Sequence, residues 1–271
     1  MKQLKWLFDF YLDSSVQVAL AVYALVRVSL SNFDLPYDEA ISYALFFGTI
    51  VEYGFIKYSP HAKYYIFVSN KYYRAIQFFS GACFIIAVYY MFQLNKATLI
   101  AVGVLVLLAF FYVVPAISSK RNFRSLKGMK IYIVGLTWSI STVLLPALNA
   151  EISIGREVYL ELLQRFIFIV AIMIPFEIRD LKTDEKWLLT LPQVMGVKNV
   201  KFLGAFLVTL FCLLTFFKND LTLNEKLVEW GVGLVSLLLI GFARKEQSDY
   251  YSSFFVESIP LLWWGLLLLF V

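Results

Sequence analysis

Apolar residues in this chain gather in mostly apolar runs of about 20, the length a helix needs to cross a bilayer, rather than in the short amphipathic rhythm of a soluble fold. Runs at 15–31, 37–58, 73–94, 97–119, 131–150, 157–178, 199–217, 227–243 and 251–271 predict nine transmembrane helices. The clearest, 97–119, holds no charged residue, whereas the first contains Gln17 and Arg27. No long polar stretch is left over for a second domain, so residues 1–271 read as one all-α integral membrane bundle.

The polar breaks between the runs carry an asymmetry that orients the bundle. Of the 24 Lys and Arg, only Lys96, Arg156, Lys218 and Lys226 fall on one side of the predicted topology, and Arg27 and Arg165 lie within runs. The remaining 18 fall at the N-terminus and in the loops after the second, fourth, sixth and eighth runs. Positive residues mark the cytoplasmic side, so the N-terminus is predicted there and the C-terminus opposite. Cytoplasmic loops at 59–72, 117–130 and 179–198 are longer and more charged than the outer ones, which places a functional site at the cytoplasmic mouth. No internal repeat of the transporter kind is visible.

Composition agrees and excludes several classes. The chain is 61% hydrophobic and 16% charged, with a mean hydropathy of +0.74, well outside the soluble range. A net charge of +5 is accounted for by topology and calls for no nucleic-acid partner. Cys83 and Cys212 lie inside apolar runs and read as small buried hydrophobes, and the lone His61 makes a zinc or haem site improbable. Two aspartates precede the first run and no small-residue cleavage site follows it, so the amino end reads as mature chain.

The stretch richest in chemistry follows the sixth run. Glu177, Asp180 and Asp184 are spaced i, i+3, i+7, which puts them on one face if the helix continues. Clustered carboxylates at a membrane mouth repel unless a cation neutralises them, and hard oxygen ligands suit Mg²⁺ bridging to a phosphate. The interleaved Arg179, Lys182 and Lys186 are suited to hold a diphosphate directly. The spacing alone fits equally a solvated helix end laced with ion pairs.

Glu177-x-x-Asp180-x-x-x-Asp184, with Thr190-Leu-Pro192 and Gly196 after it, resembles the second aspartate-rich motif of the UbiA superfamily of intramembrane prenyltransferases. Phe123-Arg-Ser-Leu-Lys127 is similar to that family's Tyr-x-x-x-Lys element, and Gly128-Met-Lys130, Thr137-Trp138 and Leu144-Leu-Pro146 also look like family sequence. The resemblance implies nine helices with the acidic motifs at the cytoplasmic face, in a bacterial inner membrane. It implies transfer of a prenyl group from a prenyl diphosphate to an aromatic or other lipid-soluble acceptor. It assigns Asp180 and Asp184 to catalysis and Mg²⁺ binding, with Glu177 as a third ligand; Lys127, Arg179 and Lys182 are the candidates to hold the diphosphate, with Lys57 added on account of a substitution in the family's first motif.

One departure bears on all of this. The family's first motif, Asn-x-x-x-Asp-x-x-x-Asp, should close the second helix, but Thr49, Tyr53 and Lys57 stand in its positions. The nearest carboxylate, Glu52, is expected on a different face. Lys57 is then either an ammonium replacing a lost metal or a snorkelling interfacial lysine. The erosion supports an alternative: a non-catalytic relative that binds a polyprenyl lipid, or a subunit working with a membrane-protein partner. Of the ionisable groups inside runs, Glu161 and Arg165 are expected to neutralise each other, and Arg27 and Glu257 to face the bundle interior or water.

Overall fold

A computed structural model describes residues 2–58, 70–113, 128–218 and 221–271, and among these there is helix and connecting turn but no strand. The helices are α1 (Lys2–Asp13), α2 (Val16–Asn32), α3 (Glu39–Tyr58), α4 (Lys71–Met91), α5 (Lys96–Val113), α6 (Lys130–Ser139), α7 (Leu145–Asn149), α8 (Arg156–Asp180), α9 (Leu191–Leu214), α10 (Leu223–Phe242) and α11 (Ile259–Phe270). A π-helical turn, Ile140–Leu144, joins α6 to α7, and another, Tyr251–Val256, leads into α11.

Among the described residues each of the nine apolar runs falls largely on helix, the run at 97–119 being described as far as Val113. Among the described residues, six helical stretches are long and apolar enough to cross a membrane, and seven if the bent pair α1–α2 counts as one. The others of the nine are α5, whose apolar helix spans Lys96–Phe111, and α10, which carries Glu225, Lys226 and Glu229 in its first two turns. The feature the pattern did not give is α1. The chain turns by 54° between α1 and α2, through Ser15 in the left-handed region at φ 65°. Leu4, Trp6 and Leu7 of α1 are exposed, as on a helix lying in the interface beside the bundle.

The helix ends sort into two sets as the charge asymmetry requires. At one end the Tyr72 hydroxyl donates to Asp13 (2.7 Å), that of Tyr250 to Asp9 (2.6 Å), and Lys201 to the Gly241 carbonyl (2.7 Å). At the other, Asn95 donates to the Leu148 carbonyl (2.7 Å), Asn149 to Asp38 (2.6 Å) and Asn224 to the Phe270 carbonyl (2.9 Å).

α8 is the central post, with nearly every residue from Ile167 to Ile178 buried or half-buried. Against it Phe168, Phe211 and Trp263 pack at centroid separations of 5.2–5.4 Å. With no hydrophobic drive between helices in lipid, small residues at crossings let backbones approach for van der Waals contact. At Gly135 on α6, a Cβ would sit 2.8 Å from Val170 of α8, so these two helices are locked together along the lower half of α6. By contrast α4 and α5 turn Phe78, Phe84, Ile85, Tyr89, Val106 and Leu107 outward, an apolar surface suited to lipid.

Buried charge on α8 is matched within the bundle. Arg165 and Glu161 pair at 2.7 Å as expected, but the pair belongs to a larger network. Lys218 bonds Glu161, and also Glu229 at 2.8 Å; Asn32 donates to Glu161 (3.1 Å) and Gln164 to Glu229 (2.9 Å). The Arg27 guanidinium stacks 4.2 Å from the Tyr37 ring and 5.5 Å from that of Trp264.

Candidate functional site

The acidic motif lies at the mouth formed by the ends of α8 and α3, the start of α6 and the π turn before α11. α8 stops at Asp180 rather than continuing. A turn follows, in which the N–H groups of Thr183 (2.9 Å) and Asp184 (2.8 Å) both donate to the Asp180 carbonyl. The turn does what a longer helix was expected to do, returning Asp184 to the side of Glu177 and Asp180. Its position is fixed from outside, because the Gln193 amide donates to the carbonyls of Asp184 and Glu185 (3.3 Å each) and its carbonyl oxygen accepts from the Thr190 N–H (3.1 Å).

All three carboxylates meet one ammonium, that of Lys130. Its Nζ lies 3.2 Å from Asp180 Oδ2, 3.4 Å from Glu177 Oε1 and 3.6 Å from Asp184 Oδ2. Only Asp180 is oriented as a hydrogen-bond acceptor; the facing oxygens of Glu177 and Asp184 are buried without a hydrogen bond. Lys130 opens α6, and the start of that helix is fastened to the motif's tail. Gly128, at φ 68°, donates its N–H to the Leu188 carbonyl (2.9 Å), and a Cβ there would press on the Leu189 carbonyl at 3.3 Å. Thus Gly128 and the loop entering Thr190-Leu-Pro192, far apart in sequence, form one unit around the carboxylates.

The basic residues named from the sequence divide. Arg179 holds the remaining oxygen of Asp180, with Nε and Nη2 each 2.9 Å from Oδ1, and donates from Nη1 to Ser253 Oγ of the π turn (3.1 Å). Lys57 is exposed and donates to the Leu12 carbonyl (3.2 Å), so it caps α1 and stays out of the carboxylate cluster. It nonetheless sits at this mouth, in the field of Arg179, Glu257 and Asp13. Lys182 is exposed on the turn after α8. Lys127, with Phe123 and Arg124, lies outside the described residues.

Just inside the mouth is a cavity of about 50 Å³, lined from α3 by Thr49, Glu52, Tyr53 and Ile56 and from α6 by Ile133, Val134, Thr137 and Trp138. It begins one helical turn above Lys130 on α6. Two of the positions that replace the family's first motif, Thr49 and Tyr53, line it. Glu52 lines it too, contrary to the expectation that it faces elsewhere: three residues on from Thr49, it returns to the same side of the helix. Tyr53 accepts a hydrogen bond from Trp138 Nε1 (3.0 Å). A larger cavity, about 800 Å³, opens at the opposite end above Glu161 and Lys218; those two groups are already paired, and none of the motif residues reaches it.

The donor chemistry of the cluster bears on the metal expected there. Carboxylate oxygen is the right ligand for Mg²⁺, which sits about 2.0–2.1 Å from each oxygen and keeps several waters. An ammonium within 3.6 Å of all three carboxylates fills that volume. Among the described residues no group of three or more acidic, His or Cys side chains is arranged to hold a metal ion. As arranged, the residues do not fit the ion.

Sequence reasoning named the three carboxylates and Arg179 and missed Lys130, Glu52 and Ser253 as parts of the mouth. The signal for Lys130 was present: it is the charge that opens an otherwise apolar run, at the same end of the bundle as the motif.

Comparison with known proteins supplies the fold. No family model matches the chain, and no curated protein matches it. Among solved structures it is similar to the apo structure of a UbiA homologue from Aeropyrum pernix K1, at 13% identity and a TM-score of 0.68, over 93% of this chain and 97% of that one. It is also similar to a structure from work on the biosynthesis of digeranylgeranylglyceryl phosphate synthase in membranes, at 18% identity and a TM-score of 0.55, over 97% and 98% of the two chains. The chain shares the fold of that UbiA homologue over nearly its whole length.

Proposed function

We propose that this chain is an integral membrane protein of the prenyltransferase type that binds a prenyl diphosphate at the α3–α6–α8 mouth and passes its prenyl group to a lipid-soluble acceptor. The observation that carries the reading is the convergence, on a UbiA-like fold, of the motif residues Glu177, Asp180 and Asp184 at one mouth, directly below a cavity between α3 and α6. The mouth faces the cytoplasm, on the side marked by Lys and Arg, and the nine apolar helices each cross the bilayer.

In this reading Arg179, Lys57 and Lys182 hold the diphosphate, with Lys127 added from its loop, and their charge stabilises the departing group. The bond from the diphosphate oxygen to the prenyl carbon breaks with its electron pair leaving on the diphosphate. The acceptor bonds to that carbon and gives up a proton, and Glu52, the carboxylate of the cavity, takes it. No step is assigned to a metal.

A second reading is favoured by a specific observation: the motif carboxylates are neutralised from within the chain, and Thr49, Tyr53 and Lys57 supply no acid opposite them. In that reading the protein keeps the isoprenoid site, does no transfer, and acts with a membrane-protein partner. Incubating the purified chain with geranylgeranyl diphosphate and membrane-extracted lipids, and following pyrophosphate release, separates the two. Release with a prenylated product supports transfer. Saturable binding without release supports the second reading, and neither binding nor release contradicts both.

A further inference from the structure

We propose that Lys130 is the resident cation of the acidic motif, so that the carboxylates of Glu177, Asp180 and Asp184 are neutralised by the chain itself and bind no divalent metal. Three observations carry this. The ammonium reaches all three carboxylates at 3.2–3.6 Å, the position of a counter-ion shared by the cluster rather than of a partner to one of them. The remaining oxygen of Asp180 is taken by Arg179 at 2.9 Å. And Lys130 is held in place: below it Gly128 is tied to the Leu188 carbonyl, and above it the α6–α8 crossing at Gly135 leaves no room for a Cβ. A lysine on a loose loop would swing away when a divalent ion approached, but one fixed at both flanks competes with it.

The sequence across the mouth agrees. Where a metal-binding relative needs carboxylates on α3, this chain has Thr49, Tyr53 and Lys57, and the Lys57 ammonium is turned to the Leu12 carbonyl. With no acid at these three positions and an ammonium between the acids of α8, a fixed univalent cation stands where a mobile divalent one would be held. The inference concerns the carboxylates alone and holds whether or not a prenyl diphosphate binds.

The test is calorimetric titration of Mg²⁺ into the full-length protein in detergent, with Mn²⁺ paramagnetic resonance as a second readout, for the unaltered chain, Lys130→Met and Lys130→Arg. The unaltered chain and Lys130→Arg are expected to show no uptake in the millimolar range and no change in melting temperature with EDTA. Lys130→Met, with three carboxylates released, is expected to bind Mg²⁺ at least about tenfold more tightly. Should Lys130→Met melt early on its own, its melting temperature is expected to rise on adding Mg²⁺, and failure to rise counts against the inference. Equal Mg²⁺ affinity in the unaltered chain and Lys130→Met overturns it, while leaving the prenyl diphosphate reading untouched.

Discussion

Replacing Glu161 with glutamine tests whether the buried charge network on α8 is a balanced unit. Glu161, Arg165, Lys218 and Glu229 have side chains at most 6% exposed, two acids against two bases. Glu161 answers both cations, pairing Arg165 at 2.7 Å and bonding Lys218. Glutamine keeps the shape and an oxygen for the Asn32 amide but leaves two buried cations facing Glu229 alone. Removing one partner of a buried pair costs about 3–5 kcal/mol, because the remaining charge is left uncompensated. That corresponds to roughly two to four powers of ten in the folded-to-unfolded ratio. Reversible unfolding in mixed micelles, followed by tryptophan fluorescence as the denaturing detergent fraction rises, measures it. The double variant Glu161→Gln, Arg165→Gln removes one charge of each sign and leaves the 2.8 Å pair Lys218–Glu229 intact. It is expected to be less destabilised than the sum of the single changes by about 0.5–3 kcal/mol. If Glu161→Gln alone lies within about 0.5 kcal/mol of the unaltered chain, the network is not a balanced unit and the reasoning fails.

Burial works against the charge on Lys218, but the carboxylates of Glu161 and Glu229 outweigh it and raise its pKa. The stability it contributes is therefore complete below the unfolded value of about 10.4 and is lost as pH climbs through the folded one, so unfolding curves should weaken only in strong alkali. A Cβ at Gly233 would fall on Cys212 Sγ, where α10 crosses α9; Gly233→Ala should cost about 1–3 kcal/mol, partly restored by Cys212→Ala, as read by melting temperature. Glu52→Gln, in the cavity beside Tyr53, should lower any prenyl transfer about 10²–10⁴-fold while donor affinity stays unchanged; equal turnover removes Glu52 as the proton acceptor.

How far the sequence announced this protein depends on the kind of signal. Long apolar runs are long-range and redundant, so the helices stood out, and the segregation of Lys and Arg sorted their ends before any contact was known. α1 did not stand out because its apolar residues are mixed with Lys5, Asp9 and Asp13, and the 54° break that makes it a separate helix rests on the conformation of Ser15. At the site, Glu177, Asp180 and Asp184 were legible because they are near neighbours in sequence. Lys130 was legible only as a charge at the same end of the bundle, because its place among them follows from the α6–α8 crossing at Gly135, which brings it to Asp180 from 50 residues away along the chain. Glu52 was misplaced by aligning the segment to an ideal motif: helical periodicity alone puts it on the side of Thr49.

That this mouth binds the diphosphate of a prenyl donor is tested most plainly by direct binding of geranylgeranyl diphosphate to the purified chain. Lys182→Ala and Arg179→Gln are compared in the same detergent, with melting curves to show that each is folded. Lys182 is exposed beyond the end of α8, so its loss should weaken affinity without touching the fold. Saturable binding to the unaltered chain is expected, severalfold weaker in Lys182→Ala and weaker still in Arg179→Gln. Folded protein that binds no geranylgeranyl diphosphate, or binds it equally well in all three forms, contradicts a diphosphate site at this mouth.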